Sequence, residues 1–183
     1  MATTEMRYGF DIGGTKIEMA AYDRRLNQVL IQRVRTPTRD YGEFVACIAG
    51  LVEQADRELH TRGSIGIGLP GITDPVSRRQ LAVNVPCLTG HCLADDLTRA
   101  LARPIAIEND CRCFALSEAS TPQTAHLPLV FGAIIGTGAG GGLVVNRQLH
   151  KGRSGVAGEW GHMPISAQLA QRYDLPLVGC NCG

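Results

Sequence analysis

A run of glycines between two β-forming segments constrains this chain most. Ile134–His162 reads IIGTGAGGGLVVNRQLHKGRSGVAGEWGH, so Gly136–Gly142 separate the apolar Leu129–Ile135 from the β-branched Leu143–Val145. A second glycine turn, Asp11-Ile12-Gly13-Gly14-Thr15-Lys16, follows the apolar run Arg7–Ile12 and leads into Ile17–Tyr22. Glycine lets a backbone fold tightly and bring amides close to phosphate oxygens. Two such turns, each between strands, suit a nucleotide held between two lobes. Neither has the sequence of a Walker loop, which needs GxxxxGK[ST] opening into a helix.

The rest of the chain alternates strands and helices. Ile17–Tyr22 and Val29–Val34 continue the opening meander through a turn at Asp23–Asn27. Asp40 and Glu43 form a capping box for a helix to about His60, with Phe44, Ile48, Leu51, Val52, Ala55 and Leu59 on its apolar face. Ser64–Leu69 returns as a strand ended by Pro70-Gly71. Cys92–Ala102 is a helix carrying Leu93, Leu97 and Leu101, Ile105–Ile107 a brief strand, and Asn109–Ala119 a helix capped by Asn109. Thr121–Pro128, with two prolines and little periodicity, is expected to form the hinge between lobes spanning 1–120 and 121–183.

Composition narrows the function classes. Hydrophobic residues make up 44% of the 183, enough for a buried core. A net charge of +1 gives no electrostatic case for nucleic acid or a membrane surface, and 5% aromatics weakens base stacking. Seven cysteines, at 47, 87, 92, 111, 113, 180 and 182, form no disulfide framework, and MATTEMRYGF has neither a charged n-region nor an apolar run. Reduced thiols and a cytoplasmic location are expected, and no stretch has the length of a transmembrane helix.

Four groups of residues carry chemistry. At the first turn, Asp11 suits the water shell of Mg²⁺, while Thr15 offers a hydroxyl and Lys16 a positive charge; a plain hairpin is the alternative. Gly136-x-Gly138-x-x-Gly141 and Gly66-x-Gly68-x-x-Gly71 both match the dinucleotide fingerprint, but neither opens a helix, and both are rejected. Asn109-Asp110 lies where a strand meets a helix N-terminus. There Asp110 can take a proton from a hydroxyl attacking a γ-phosphate, and Asn109 can fix a neighbouring hydroxyl; helix capping is the alternative. Glu159 and His162 can clamp two sugar hydroxyls or stand as surface residues. His162 with Cys180 and Cys182 also gives three zinc ligands, one short of a tetrahedral structural site.

DIGGTK (Asp11–Lys16), GIGLPG (Gly66–Gly71), ENDC (Glu108–Cys111), GTGAGGG (Gly136–Gly142), GEWGH (Gly158–His162) and the terminal CNCG together resemble the ROK family (repressor, open reading frame, kinase) of sugar kinases. Asn84-Val85-Pro86 and Cys113–Ala119 bring the likeness nearest to members acting on N-acetylglucosamine. The resemblance implies an α/β, actin-like and ribonuclease-H-like ATPase fold of two lobes, the second incomplete. It implies ATP-dependent phosphorylation of a sugar 6-hydroxyl with Mg²⁺, Asp110 as base, and sugar contacts from Gly71, Asn84, Asn109, Asp110, Glu159 and His162. ATP would meet Gly9, Phe10, Asp11, Ile12, Gly13, Gly14, Thr15 and Lys16 on one side, and Thr137, Gly138, Ala139, Gly140, Gly141 and Gly142 on the other. Structural Zn²⁺ on His162, Cys180 and Cys182 and a homodimer are further expectations.

Cys111 stands where the family usually has alanine, and family members continue past CxCG to a third cysteine, a sugar-binding glutamate and the rest of the adenosine-binding lobe. Fructokinase or glucokinase specificity, or a non-catalytic sugar-binding fragment, are the alternatives. A sugar-responsive repressor is disfavoured, because only Met1–Met6 precede the first strand.

Overall fold

The computed structural model describes residues 5–136 and 138–175. The chain divides into two compact units, Met1–Asp110 and Cys111–Gly183.

The first unit opens with a meander, β1 (Arg7–Ile12), β2 (Lys16–Tyr22) and β3 (Gln28–Arg35). Alternation buries Tyr8, Phe10 and Ile12 of β1, and the same parity recurs in β4 (Ser64–Leu69) with Ile65, Ile67 and Leu69. Between them runs α1 (Tyr41–Leu59), whose buried face is Phe44, Ile48, Leu51, Val52 and Ala55. Its start is fixed by the Asp40 carboxylate, which accepts from the Glu43 amide at 2.8 Å. His60, left-handed at φ 50°, ends it. Leu59, expected on the apolar face, is only partly buried.

A short hairpin, β5 (Ile72–Thr73) and β6 (Gln80–Leu81), follows, and no sequence pattern announces it. A 3-10 turn at Pro86–Leu88 leads to α2 (Leu93–Leu101), which buries Leu93, Leu97 and Leu101. The strand expected over Ile105–Ile107 extends to Asn109 as β7 (Ile105–Asn109).

These strands form one sheet in the order β3-β2-β1-β4-β7. The meander is antiparallel, whereas β1, β4 and β7 run parallel. In the pairing register, Asp11 lies beside Gly68, Gly68 beside Glu108, and Leu69 beside Asn109. The carboxyl ends of three adjacent parallel strands therefore share one sheet edge, the usual ligand edge of open α/β sheets.

The second unit begins within α3 (Asp110–Glu118). Residues 121–128, expected as the hinge, form successive turns, with Ala125 N–H donating to the Thr121 carbonyl at 2.8 Å. β8 (Leu129–Ile135), β9 (Ala139–Val145) and β10 (Gln148–Leu149) make an antiparallel sheet in the order β10-β9-β8. β9 starts at Ala139, four residues before the expected Leu143, because Gly140, Gly141 and Gly142 pair with Ile134, Ala133 and Gly132. The glycine turn thus shrinks to the residues around Gly136–Gly138, where Gly136 N–H donates to the Gly138 carbonyl at 2.9 Å. After a 3-10 turn at Trp160–His162, α4 (Ala167–Arg172) is capped by Ser166.

Candidate functional site

In the first unit the site residues gather at the carboxyl edge of the sheet. Gly13 and Gly14 close the β1–β2 hairpin, with Gly13 N–H donating to the Lys16 carbonyl at 2.9 Å. Thr36, buried and unremarked in the sequence, holds this turn from the side. Its hydroxyl donates to the Gly13 carbonyl at 2.7 Å, and its N–H to the Thr15 carbonyl at 3.1 Å. A Cβ on Gly14 would lie 2.7 Å from the Asn84 carbonyl oxygen. The expected phosphate turn and the expected sugar contact Asn84 are therefore packed backbone to backbone.

Phe10 and Ile12 point into the core, so only their main chain is available to a ligand; Gly9 pairs with Ala20 and Gly66. Lys16 lies against Glu18 at 3.3 Å, and Glu18 also meets Arg33 at 2.5 Å. Asp11 keeps solvent contact, yet its carboxyl is raised above the ordinary aspartate range, first by partial desolvation. Lys16 opposes the shift, while the charges of Asp110 and Glu18 add to it. The charge of Asp110 that raises the proton affinity of Asp11 puts two carboxylates on one surface, which suits a divalent cation.

Gly71 sits at φ +97°, a conformation open to glycine at little cost. A Cβ there would lie 2.1 Å from the Leu81 carbonyl oxygen. Its own carbonyl accepts from the Asn109 side-chain amide at 3.0 Å. Asn109, expected as a helix cap, ends β7 directly before α3, is buried, and bonds across to Gly71. Asp110, the first residue of α3, follows it directly.

In the second unit the glycines of β9 serve close approach. A Cβ on Gly140 would meet the Cys111 sulfur at 2.6 Å, and one on Gly142 would meet Ala115 at 2.8 Å, so both abut α3. Gly141, of opposite parity, faces the Gly158–Trp160 stretch, where its Cβ would lie 3.0 Å from the Trp160 ring. The indole N–H of Trp160 donates to the Gly140 carbonyl at 2.6 Å. The strand is thus squeezed between α3 and the segment holding Glu159 and His162.

The 3-10 turn brings Glu159 and His162 together, with Glu159 Oε2 at 4.0 Å from His162 Nε2. Glu159 Oε1 lies 3.7 Å from Nη2 of Arg112, a buried arginine of α3 that no sequence motif singles out. Thr137, Cys180 and Cys182 lie outside the described residues. Among the described residues there is no cluster of three or more His, Cys, Asp or Glu side chains able to hold a metal. No helix among them is long and apolar enough to cross a membrane.

An antiparallel meander extended by parallel strands, with a glycine turn after β1 and an Asn-Asp pair where β7 meets α3, has the actin-like ATPase fold of ROK sugar kinase structures. Residues 7–183 match the profile of the ROK family, and the chain belongs to that family. It is 48% identical over 180 residues to an N-acetyl-D-glucosamine kinase of Vibrio atlanticus (strain LGP32), covering 97% of this chain and 60% of that protein. It is 46% identical over 178 residues to the N-acetylgalactosamine kinase AgaK of Shewanella sp. (strain ANA-3), covering 97% and 58%. Among solved structures, a ROK family glucokinase from Streptomyces griseus in complex with glucose and AMPPNP superposes with a TM-score of 0.77 at 30% identity. That match covers 97% of this chain and 55% of the other. The chain spans about three-fifths of the length of the curated relatives it matches.

Proposed function

We infer that this chain carries the acceptor-activating and phosphate-binding elements of an ATP-dependent hexosamine kinase acting on the 6-hydroxyl of N-acetyl-D-glucosamine. The observation that carries the reading is the shared edge of β1, β4 and β7, which bears Asp11, Gly71 and Asn109-Asp110, with Gly14 packed on Asn84. The similarity to N-acetyl-D-glucosamine kinases supports the sugar.

Asp110 accepts the proton of the 6-hydroxyl as that oxygen attacks the γ-phosphorus. The bond from the γ-phosphorus to the bridging oxygen breaks, and ADP leaves. Asn109, anchored on the Gly71 carbonyl, orients a neighbouring hydroxyl, and Glu159 and His162 clamp two more. Asn84 and Gly71 lie where the acetamido group is read. Contacts with the ATP phosphates are assigned to Gly9, Phe10, Ile12, Gly13, Gly14, Thr15 and Lys16, and to Thr137, Gly138, Ala139, Gly140, Gly141 and Gly142. Asp11 would hold waters of a magnesium ion, which would neutralise phosphate charge when bound. Zinc on His162, Cys180 and Cys182 would set the position of His162 without entering the chemistry. A lobe boundary at 120/121, a homodimer and a cytoplasmic location complete the reading.

A coupled ADP-release assay with Mg-ATP and zinc tests it, using N-acetylglucosamine, N-acetylgalactosamine, glucose, mannose and fructose in parallel. Turnover with N-acetylglucosamine, reduced about 10²–10⁴-fold in Asp110→Asn, is the expected outcome. ADP release that is independent of sugar and equal in both forms would overturn it. The 46% identity to an N-acetylgalactosamine kinase favours the 4-epimer as a second substrate.

A further inference from the structure

We propose that Arg112 is a positioning residue that sets the carboxylate of Glu159 for the sugar. The inference rests on Glu159 being a sugar contact, as proposed above. Arg112 lies on α3, and its side chain is 5% exposed, whereas helix arginines ordinarily keep the charged head in water. Two groups on the segment after β10 meet its Nη2. The Gly155 carbonyl accepts a hydrogen bond from it, and Glu159 Oε1 lies 3.7 Å away.

The strand glycines make this reach available. A Cβ on Gly142 would lie 2.9 Å from Arg112 Cα, so α3 packs directly against β9. The Trp160 N–H bond to the Gly140 carbonyl draws the Glu159 segment onto the same strand. Gly142 therefore puts no side chain between β9 and the start of the Arg112 side chain.

The two oxygens of Glu159 are thereby differentiated. Oε1 faces the buried guanidinium, and Oε2 faces the imidazole of His162, which is 58% exposed. A charge contact between side chains 5% and 18% exposed is screened little by water, so it holds the carboxylate orientation better than a surface pair does. Arg112 also holds the Gly155 carbonyl, which fixes the loop four residues before Glu159 and limits where that side chain can go. With its orientation set before ligand arrives, Glu159 presents Oε2 to a sugar hydroxyl without an ordering cost at binding.

The test measures N-acetylglucosamine affinity by calorimetry and by the emission of Trp160, the single tryptophan of the chain, with Mg-AMPPNP affinity measured alongside. Arg112→Gln should weaken sugar binding about tenfold and leave nucleotide binding within about twofold, and Arg112→Lys should recover some of the loss. In a cycle with Glu159→Gln, the double variant should bind sugar no more weakly than Glu159→Gln alone, because Arg112 acts through that carboxylate. Losses that add, or that fall equally on sugar and nucleotide, would show a merely structural role and overturn the proposal.

Sugar binding weakened in Glu159→Gln but unchanged in Arg112→Gln overturns the role of Arg112 alone. Unchanged sugar binding in Glu159→Gln, or no sugar binding by the unaltered chain, removes the Glu159 contact and the proposal with it. Where Arg112→Gln fails to fold, Arg112→Met takes its place, and sugar binding equal to that of the unaltered chain overturns the positioning role.

Discussion

The two units differ in what fills their interiors. In Met1–Asp110, large side chains from β1, β4, α1 and α2 form one cluster, with Tyr8, Phe44, Ile48, Leu93 and Leu97 almost wholly buried. Further polar ties reinforce it. Arg103 bridges the Asp56 carboxylate at 2.6 Å and the Gly63 carbonyl at 2.9 Å, and the buried Tyr8 hydroxyl beside Asp56 is pushed up to about 12, chiefly by desolvation. Among the described residues of Cys111–Gly183 the buried cluster is Ala115, Ala119 and Val144, and close contact is made by glycines. Leu129, Phe131 and Ile135 share one parity of β8 and remain exposed, Ile135 by 81%, on a strand that is an edge of its sheet among the described residues. The first unit is held mainly by buried apolar area, with close backbone fit confined to places such as Gly14 and Gly71. The second relies on backbone fit along Gly140, Gly141 and Gly142 of β9.

The largest test of that contrast is in the cores. Phe44→Ala should cost about 3–5 kcal/mol and Val144→Ala about 2 kcal/mol, measured by urea unfolding. Trp160 belongs to the second unit, whereas the far-UV signal is dominated by the first unit's 19-residue α1. Trp160 emission should therefore change at lower urea than the far-UV signal, and Phe44→Ala should close the gap. Coincident transitions in the unaltered chain would show one cooperative unit and break the comparison.

Gly142→Ala probes the backbone fit of β9. The added methyl must enter a space where Ala115 Cβ lies at 2.8 Å and Arg112 Cα at 2.9 Å. Overpacking of about 1–3 kcal/mol is expected, read as an earlier change in Trp160 emission. Gly66→Ala in the first unit is the control, since a Cβ there meets nothing within 4 Å, and a similar loss in both would sink the argument.

The smallest effect has the opposite sign. Asp11 has a folded pKa above its unfolded value, so the fold disfavours its charged form. Below the unfolded pKa both states hold the proton and there is no penalty. The penalty grows as pH rises through the unfolded and then the folded value, and above the latter it is complete. Asp11→Asn should therefore raise Tm slightly at neutral pH and not at pH 3, while weakening Mg-nucleotide binding. A lower Tm at neutral pH would contradict the charge argument.

Much of the first unit was legible because its signals are local. The Asp40 cap, the helical spacing of Phe44 to Ala55 and the alternation of Ser64–Leu69 each specify an element within a few residues. The family motifs were legible for the same reason, being short and in order. The start of β9 was not, because three successive glycines carry no strand propensity and pair only since Gly132, Ala133 and Ile134 lie opposite. No sequence motif singles out Arg112 or Thr36, whose partners Glu159 and Gly13 lie far along the chain.

By itself, then, the sequence determined the order of the longer strands and helices, the glycine turns, the Asn-Asp pair at a strand-to-helix junction and the family. Tertiary structure alone decided that Asn109 bonds to Gly71, that Gly14 packs on Asn84, that Thr36 holds the first turn, and that Arg112 and Trp160 fix the Glu159 segment. The first set depends on propensity and periodicity, which act over a few residues. The second joins residues some twenty to seventy positions apart through strand register and helix approach, which no local pattern encodes.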